Sequence, residues 1–65
     1  MIPQTLIDTF HKRISERIDE FKEGNFSTDL LQTSVNREIG RLKNVNGNVV
    51  PDEIKELLDN NNLKY

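Results

Sequence analysis

Cysteine, alanine and tryptophan are absent from this chain of 65 residues. Without cysteine there is no disulfide to staple the fold and no thiolate to hold a metal. Histidine occurs once, at His11, so neither a nucleophile–base pair nor a zinc site can be drawn from the usual residue types. Glycine occurs three times, well separated, which leaves no glycine-rich phosphate loop. No apolar run approaches the roughly 20 residues a membrane helix needs. The start lacks the basic opening and apolar stretch of a secretory signal. These absences set an expectation: a complete cytoplasmic chain with no membrane segment, no cofactor, no metal and no enzymatic activity. Residues 1–65 would form a single helical domain.

What is present suffices for one small core. Apolar residues make up 34% of the chain. Conformational entropy opposes ordering any chain of this size, and burial exceeds it only narrowly. Chains this short often gain stability by self-association or from a partner. The charge is nearly balanced. Residues 1–43 carry seven Lys or Arg against seven Asp or Glu, and residues 44–65 carry two against four, so the net charge of −2 lies in the C-terminal third. That balance disfavours a dedicated nucleic-acid binder, because phosphate contacts with basic residues supply most of the affinity.

Periodicity predicts an all-α protein, a small three-helix bundle with helices at about 4–23, 28–43 and 51–59. In the first segment Ile7, Phe10, Ile14, Ile18 and Phe21 recur at steps of three and four, and Leu6 widens the stripe. Asp8–Lys12 and Arg17–Glu20 have the spacing of helical ion pairs. Pro3 and Gly24 bracket the helix. The second stripe is Leu31, Val35, Ile39 and Leu42, opposite Gln32, Asn36, Arg37 and Arg41. Ser27, Thr28 and Asp29 can each cap it, with Gln32 placed to complete a capping box from Asp29. Gly40 costs this helix about 1 kcal/mol relative to alanine, which a close helix crossing would explain. Pro51 starts the third helix, Asp52 and Glu53 suit the positive end of its dipole, and Ile54, Leu57 and Leu58 form its apolar face. Leu63 and Tyr65 are positioned to fold back on the core.

The connection "KNVNGNVVP", residues 43–51, admits three readings. It is a loop whose valines plug one end of the bundle, or a minimal β-hairpin pairing Val45 with Val49 about the Asn46-Gly47 turn within residues 44–50. The third reading is a calcium loop running from position 42 to Glu53, with Gly47 sixth and Val49 eighth. Leu42 then stands where the first carboxylate belongs, and Glu53 is the sole acidic ligand. Calcium affinity depends on several carboxylates, so that reading fails on ligand count.

The stretch "TSVNREIGRLK", residues 33–43, resembles the recognition helix of helix-turn-helix and winged-helix proteins. The resemblance implies that Asn36, Arg37 and Arg41 face the major groove while Val35 and Ile39 face the core, with Asn46-Gly47 as the tip of a wing. It covers eleven residues and departs from that pattern just upstream, where "FSTDLLQ" supplies neither a short helix nor the usual glycine in the turn.

With chemistry excluded, the expected function is a regulatory interaction protein that binds and modulates a protein partner. Its anchors would be the apolar residues the stripes leave over: Ile2, Leu6, Leu30, Val50 and Tyr65. Homodimerisation through the same residues is the nearest rival. The alternative is a nucleic-acid-binding regulator using Asn36, Arg37 and Arg41.

Overall fold

A computed structural model describes residues 2–65. Among them lie three helices and no strand: α1 (Gln4–Lys22), α2 (Thr28–Val45) and α3 (Asp52–Asn60). The protein is a small all-α three-helix bundle. α1 and α2 form a long hairpin, and α3 lies against α1. The molecule measures 35 × 17 × 17 Å, a rod set by the length of its two long helices, since 19 residues at about 1.5 Å each span about 28 Å.

The predicted stripes meet along the axis of this rod. Phe10, Ile14 and Ile18 of α1 are buried against Leu31, Val35, Ile39 and Leu42 of α2. Ile54 and Leu58 of α3 close the third side, with Val50 and Leu63 at its two ends. Spacings of three and four residues put these side chains on one face of each helix, and burying that face is what holds the helices together.

Each helix ends by the same device. Two residues past the last helical residue the chain adopts a left-handed conformation, at Gly24 (φ 87°), Gly47 (φ 61°) and Asn62 (φ 57°). The next amide then donates back into the helix: Asn25 to Glu20 O at 3.0 Å, Asn48 to Lys43 O at 2.8 Å and Leu63 to Leu58 O at 2.9 Å. This satisfies carbonyls that would otherwise be orphaned. At the third end the donor, Leu63, also carries its side chain into the core beside Leu58. At the start of α2 the Ser27 hydroxyl oxygen accepts the Leu30 amide at 3.2 Å. Ser27 is therefore the cap, and Gln32 is free of the expected capping box with Asp29.

Three readings are corrected. Residues 44–50 form no hairpin: α2 continues through Val45, and Val45 and Val49 are both exposed. A tight turn does form, one residue later than the Asn46-Gly47 reading, because Gly47 and Asn48 are its positive-φ centre and Val49 donates to Asn46 O at 3.2 Å. It terminates a helix instead of joining strands. The calcium loop, already rejected on ligand count, has no loop backbone at its start either, since residues 42–45 are helical and Leu42 is in the core. Gly40 faces open space, with no atom within 4 Å of where a Cβ would stand, so no close crossing explains it. Asp8 accepts a hydrogen bond from Gln4 Nε2 at 2.9 Å in place of the expected ion pair with Lys12.

Candidate functional site

One face of the α1–α2 hairpin is apolar and the neighbouring strip is cationic. Glu38 stands at the centre of that strip. It lies three residues after Val35 and four before Leu42, a position on the buried stripe, and is itself buried. Arg41 reaches it from one turn further along α2, with Nη1 3.9 Å from Oε1. Arg13 reaches it across the helix interface, with Nη1 3.9 Å from Oε2. These separations exceed hydrogen-bond reach of about 3.2 Å, so the attraction is Coulombic and the guanidinium donors stay uncommitted. Among the described residues no group donates to Oε2, which is buried.

Arg17 and Arg37 complete the cluster. With Ser34, Glu38 and Arg41 they line a shallow cleft of about 180 Å³. Arg17 pairs with Glu20 at 3.7 Å on its own helix. Among the described residues Arg37 makes no ion pair. The arginine side chains remain accessible: Arg13, Arg17 and Arg41 are 52%, 46% and 68% exposed. Two guanidiniums, one from each helix, thus flank one buried carboxylate while Arg17 and Arg37 line the same cleft, an arrangement suited to carboxylate or phosphate groups.

The nucleic-acid candidates divide. Arg37 and Arg41 enter the cleft, and Asn36 is exposed and accepts from Gln32 Nε2 at 2.9 Å. α2 runs unbroken for 18 residues beside α1, so among the described residues there is neither the short preceding helix of a helix-turn-helix nor a wing. The apolar candidates are dispersed. Val50 is a correction: it is buried in the core and offers no anchor. Ile2 and Leu6 are half-buried against the same core. Only Leu30 and Tyr65 are exposed, and they belong to the opposite end of the rod from Ile2. Tyr65 donates its hydroxyl to Asp59 Oδ2 at 3.2 Å. Its pKa is raised, by desolvation and then by the Asp59 carboxylate.

The two ends of the bundle are tied by polar side chains. Asn46 is buried; its Nδ2 donates to Val49 O at 2.9 Å and its Oδ1 accepts the Ile2 amide at 3.4 Å. Gln4 Nε2 donates to Glu53 at 2.7 Å, joining the starts of α1 and α3. At the other end Gln32 grips the tail, accepting the Lys64 amide and donating to the Lys64 carbonyl, both at 3.0 Å. His11 lies 3.5 Å from the Ser15 hydroxyl and half-buried. Among the described residues no three His, Cys, Asp or Glu side chains gather as a metal site. No helix among them is long and apolar enough to cross a membrane.

Arg13, Arg17 and Glu38 were not candidates from the sequence. The signal was there for Glu38: Leu31, Val35, Glu38 and Leu42 are spaced four, three and four, so a charge occupies a core position. No protein-family model, no curated protein and no solved structure matches this chain.

Proposed function

We propose that the protein is a non-enzymatic binding module of the cytoplasm that docks an acidic segment of a protein partner onto the arginine cleft and modulates that partner sterically. The observation carrying this reading is the gathering of Arg17, Arg37 and Arg41 around one cleft, with Arg13 and Arg41 drawn to its buried Glu38. Arginine is the side chain whose planar fork best matches carboxylates, and clusters of it are a recurring device for acidic motifs. The apolar candidates supply less, because Val50 is in the core and Leu30 is far from Ile2 and Leu6.

A protein partner is favoured over nucleic acid by what surrounds the cleft. Glu20 pairs with Arg17 beside the cleft, with Glu16 and Glu23 about one turn to either side along α1. A nucleic-acid backbone extending beyond the cleft would meet these carboxylates, whereas a peptide can confine its acidic groups to the cleft. Fluorescence anisotropy of a labelled glutamate-rich peptide tests the reading. Binding should weaken about tenfold in Arg37→Ala and again in Arg41→Ala, and should fall with added salt. Unchanged affinity in both variants would overturn it. Light scattering of the free protein, run beside this titration, measures the rival homodimer.

A further inference from the structure

We propose that the group the cleft takes is a phosphomonoester, carried as one phosphorylated side chain of the docking segment. This rests on the reading above and narrows it from acidic to doubly charged. Three observations support it. The first is charge. The cleft is lined by three guanidiniums, of Arg17, Arg37 and Arg41, against the one carboxylate of Glu38, and Arg13 and Glu20 beside it offset one another, which leaves two positive charges uncompensated. A glutamate of the partner neutralises one of them. A phosphomonoester at neutral pH, with about −1.5 to −2 charges, neutralises both.

The second observation is convergence. Arg17 of α1 and Arg37 and Arg41 of α2 line one cleft of about 180 Å³, where one compact group can meet several forks together. Carboxylates strung along a peptide would suit a longer basic track. The same point separates a phosphomonoester from a nucleic-acid backbone, whose phosphodiesters carry a single charge each and need an extended cationic surface.

The third is the state of the donors. Arg13 and Arg41 stand 3.9 Å from Glu38, close enough to be oriented by it and too far to be hydrogen-bonded to it. Arg37 is held by no ion pair among the described residues. The Ser34 hydroxyl lies at the cleft beside Arg37. Glu38 thus acts as a positioning residue: its fixed charge gathers the guanidiniums without consuming the donors that three phosphate oxygens would accept.

The test uses the full chain and four probes in anisotropy or competition titrations. They are a labelled neutral peptide with one phosphoserine, the same peptide with glutamate there, inorganic phosphate, and a short DNA duplex. The expected result is an affinity for the phosphoserine peptide at least about tenfold above that for the glutamate peptide. Arg37→Ala, an exposed residue on a continuous helix, should erase this advantage without altering the melting temperature. Lys55→Ala on α3 should leave it intact. Equal affinity for the two peptides would overturn the phosphate preference while the acidic-segment reading stands. No binding of either peptide would overturn both. Inorganic phosphate binding as tightly as the phosphopeptide would overturn a protein-borne source, and a duplex binding more tightly than either peptide would overturn a protein partner.

Discussion

Two strips of the α1–α2 hairpin lie side by side and differ in what holds them. The apolar seam, with Ile14, Val35 and Leu42 wholly buried, is close-packed, and every side chain in it gains from leaving water. The arginine strip, one residue over at Glu38, is held by charge at 3.9 Å with its guanidiniums in solvent. Exposed ion pairs contribute typically only about 0.2–1 kcal/mol each, whereas one buried leucine is worth about 2 kcal/mol or more. The seam therefore accounts for folding. The arginine strip contributes so little that its composition calls for another reason, and binding is the one proposed.

The strongest test of this contrast is truncation in the seam. Leu42→Ala or Ile14→Ala should lower unfolding free energy by about 2–5 kcal/mol, enough to unfold much of so small a protein at room temperature. Urea denaturation followed by circular dichroism measures this. A loss below about 1 kcal/mol would mean that the core is loosely packed and the contrast weaker than drawn. Asn46 comes next. Its buried amide bonds Val49 O and the Ile2 amide, so Asn46→Ala strands two backbone groups. The expected cost is about 1–3 kcal/mol, with amide exchange at Ile2 and Val49 rising more than exchange in α1.

The seam was legible in the sequence and the strip only in its α2 half, Arg37 and Arg41, for a physical reason. A helix repeats every 3.6 residues, so a stripe such as Phe10, Ile14, Ile18 announces its own face without knowledge of its neighbour. The cluster joins Arg13 and Arg17 to Arg37, Glu38 and Arg41, and no rule local to one helix says which residue of α1 lies across from Glu38. The dispersal of the apolar candidates has a similar origin. Val50 lies outside every stripe, and only the turn at Gly47 and Asn48 folds it into the core. That turn was readable as a turn, but glycine and asparagine serve helix ends and hairpins alike.

The glycines sharpen the contrast between places where the backbone is constrained and places where it is merely exposed. Gly47 has φ 61°, so Gly47→Ala should cost about 1–2 kcal/mol, the penalty of a Cβ in left-handed backbone. Gly40 sits in the interior of α2 with open space around its missing Cβ. Gly40→Ala should therefore stabilise by about 0.5–1 kcal/mol. The two substitutions are chemically identical, so opposite shifts in melting temperature isolate the backbone. A destabilising Gly40→Ala would show that something closes on that face in solution, a second copy of the chain included.

The smallest expected effect is also the most discriminating for the proposed site. Glu38 is buried with Oε2 unbonded, and a buried ion seldom out-stabilises a well-packed apolar residue of its size. Glu38→Met should change stability by less than about 1 kcal/mol in either direction, even though it removes the partner of both Arg13 and Arg41. Arg13→Ala should likewise stay within about 1 kcal/mol, as its end of the pair is half in water. If Glu38 were there to hold the fold, Glu38→Met would instead approach the loss seen for Leu42→Ala, and the cluster would need no ligand to account for it. If it serves to orient the arginines, Glu38→Met keeps its melting temperature and loses selectivity between the phosphoserine and glutamate peptides, because the forks then repel one another apart while their total positive charge rises. A fold unchanged in stability but altered in discrimination is a result that a purely structural Glu38 cannot give.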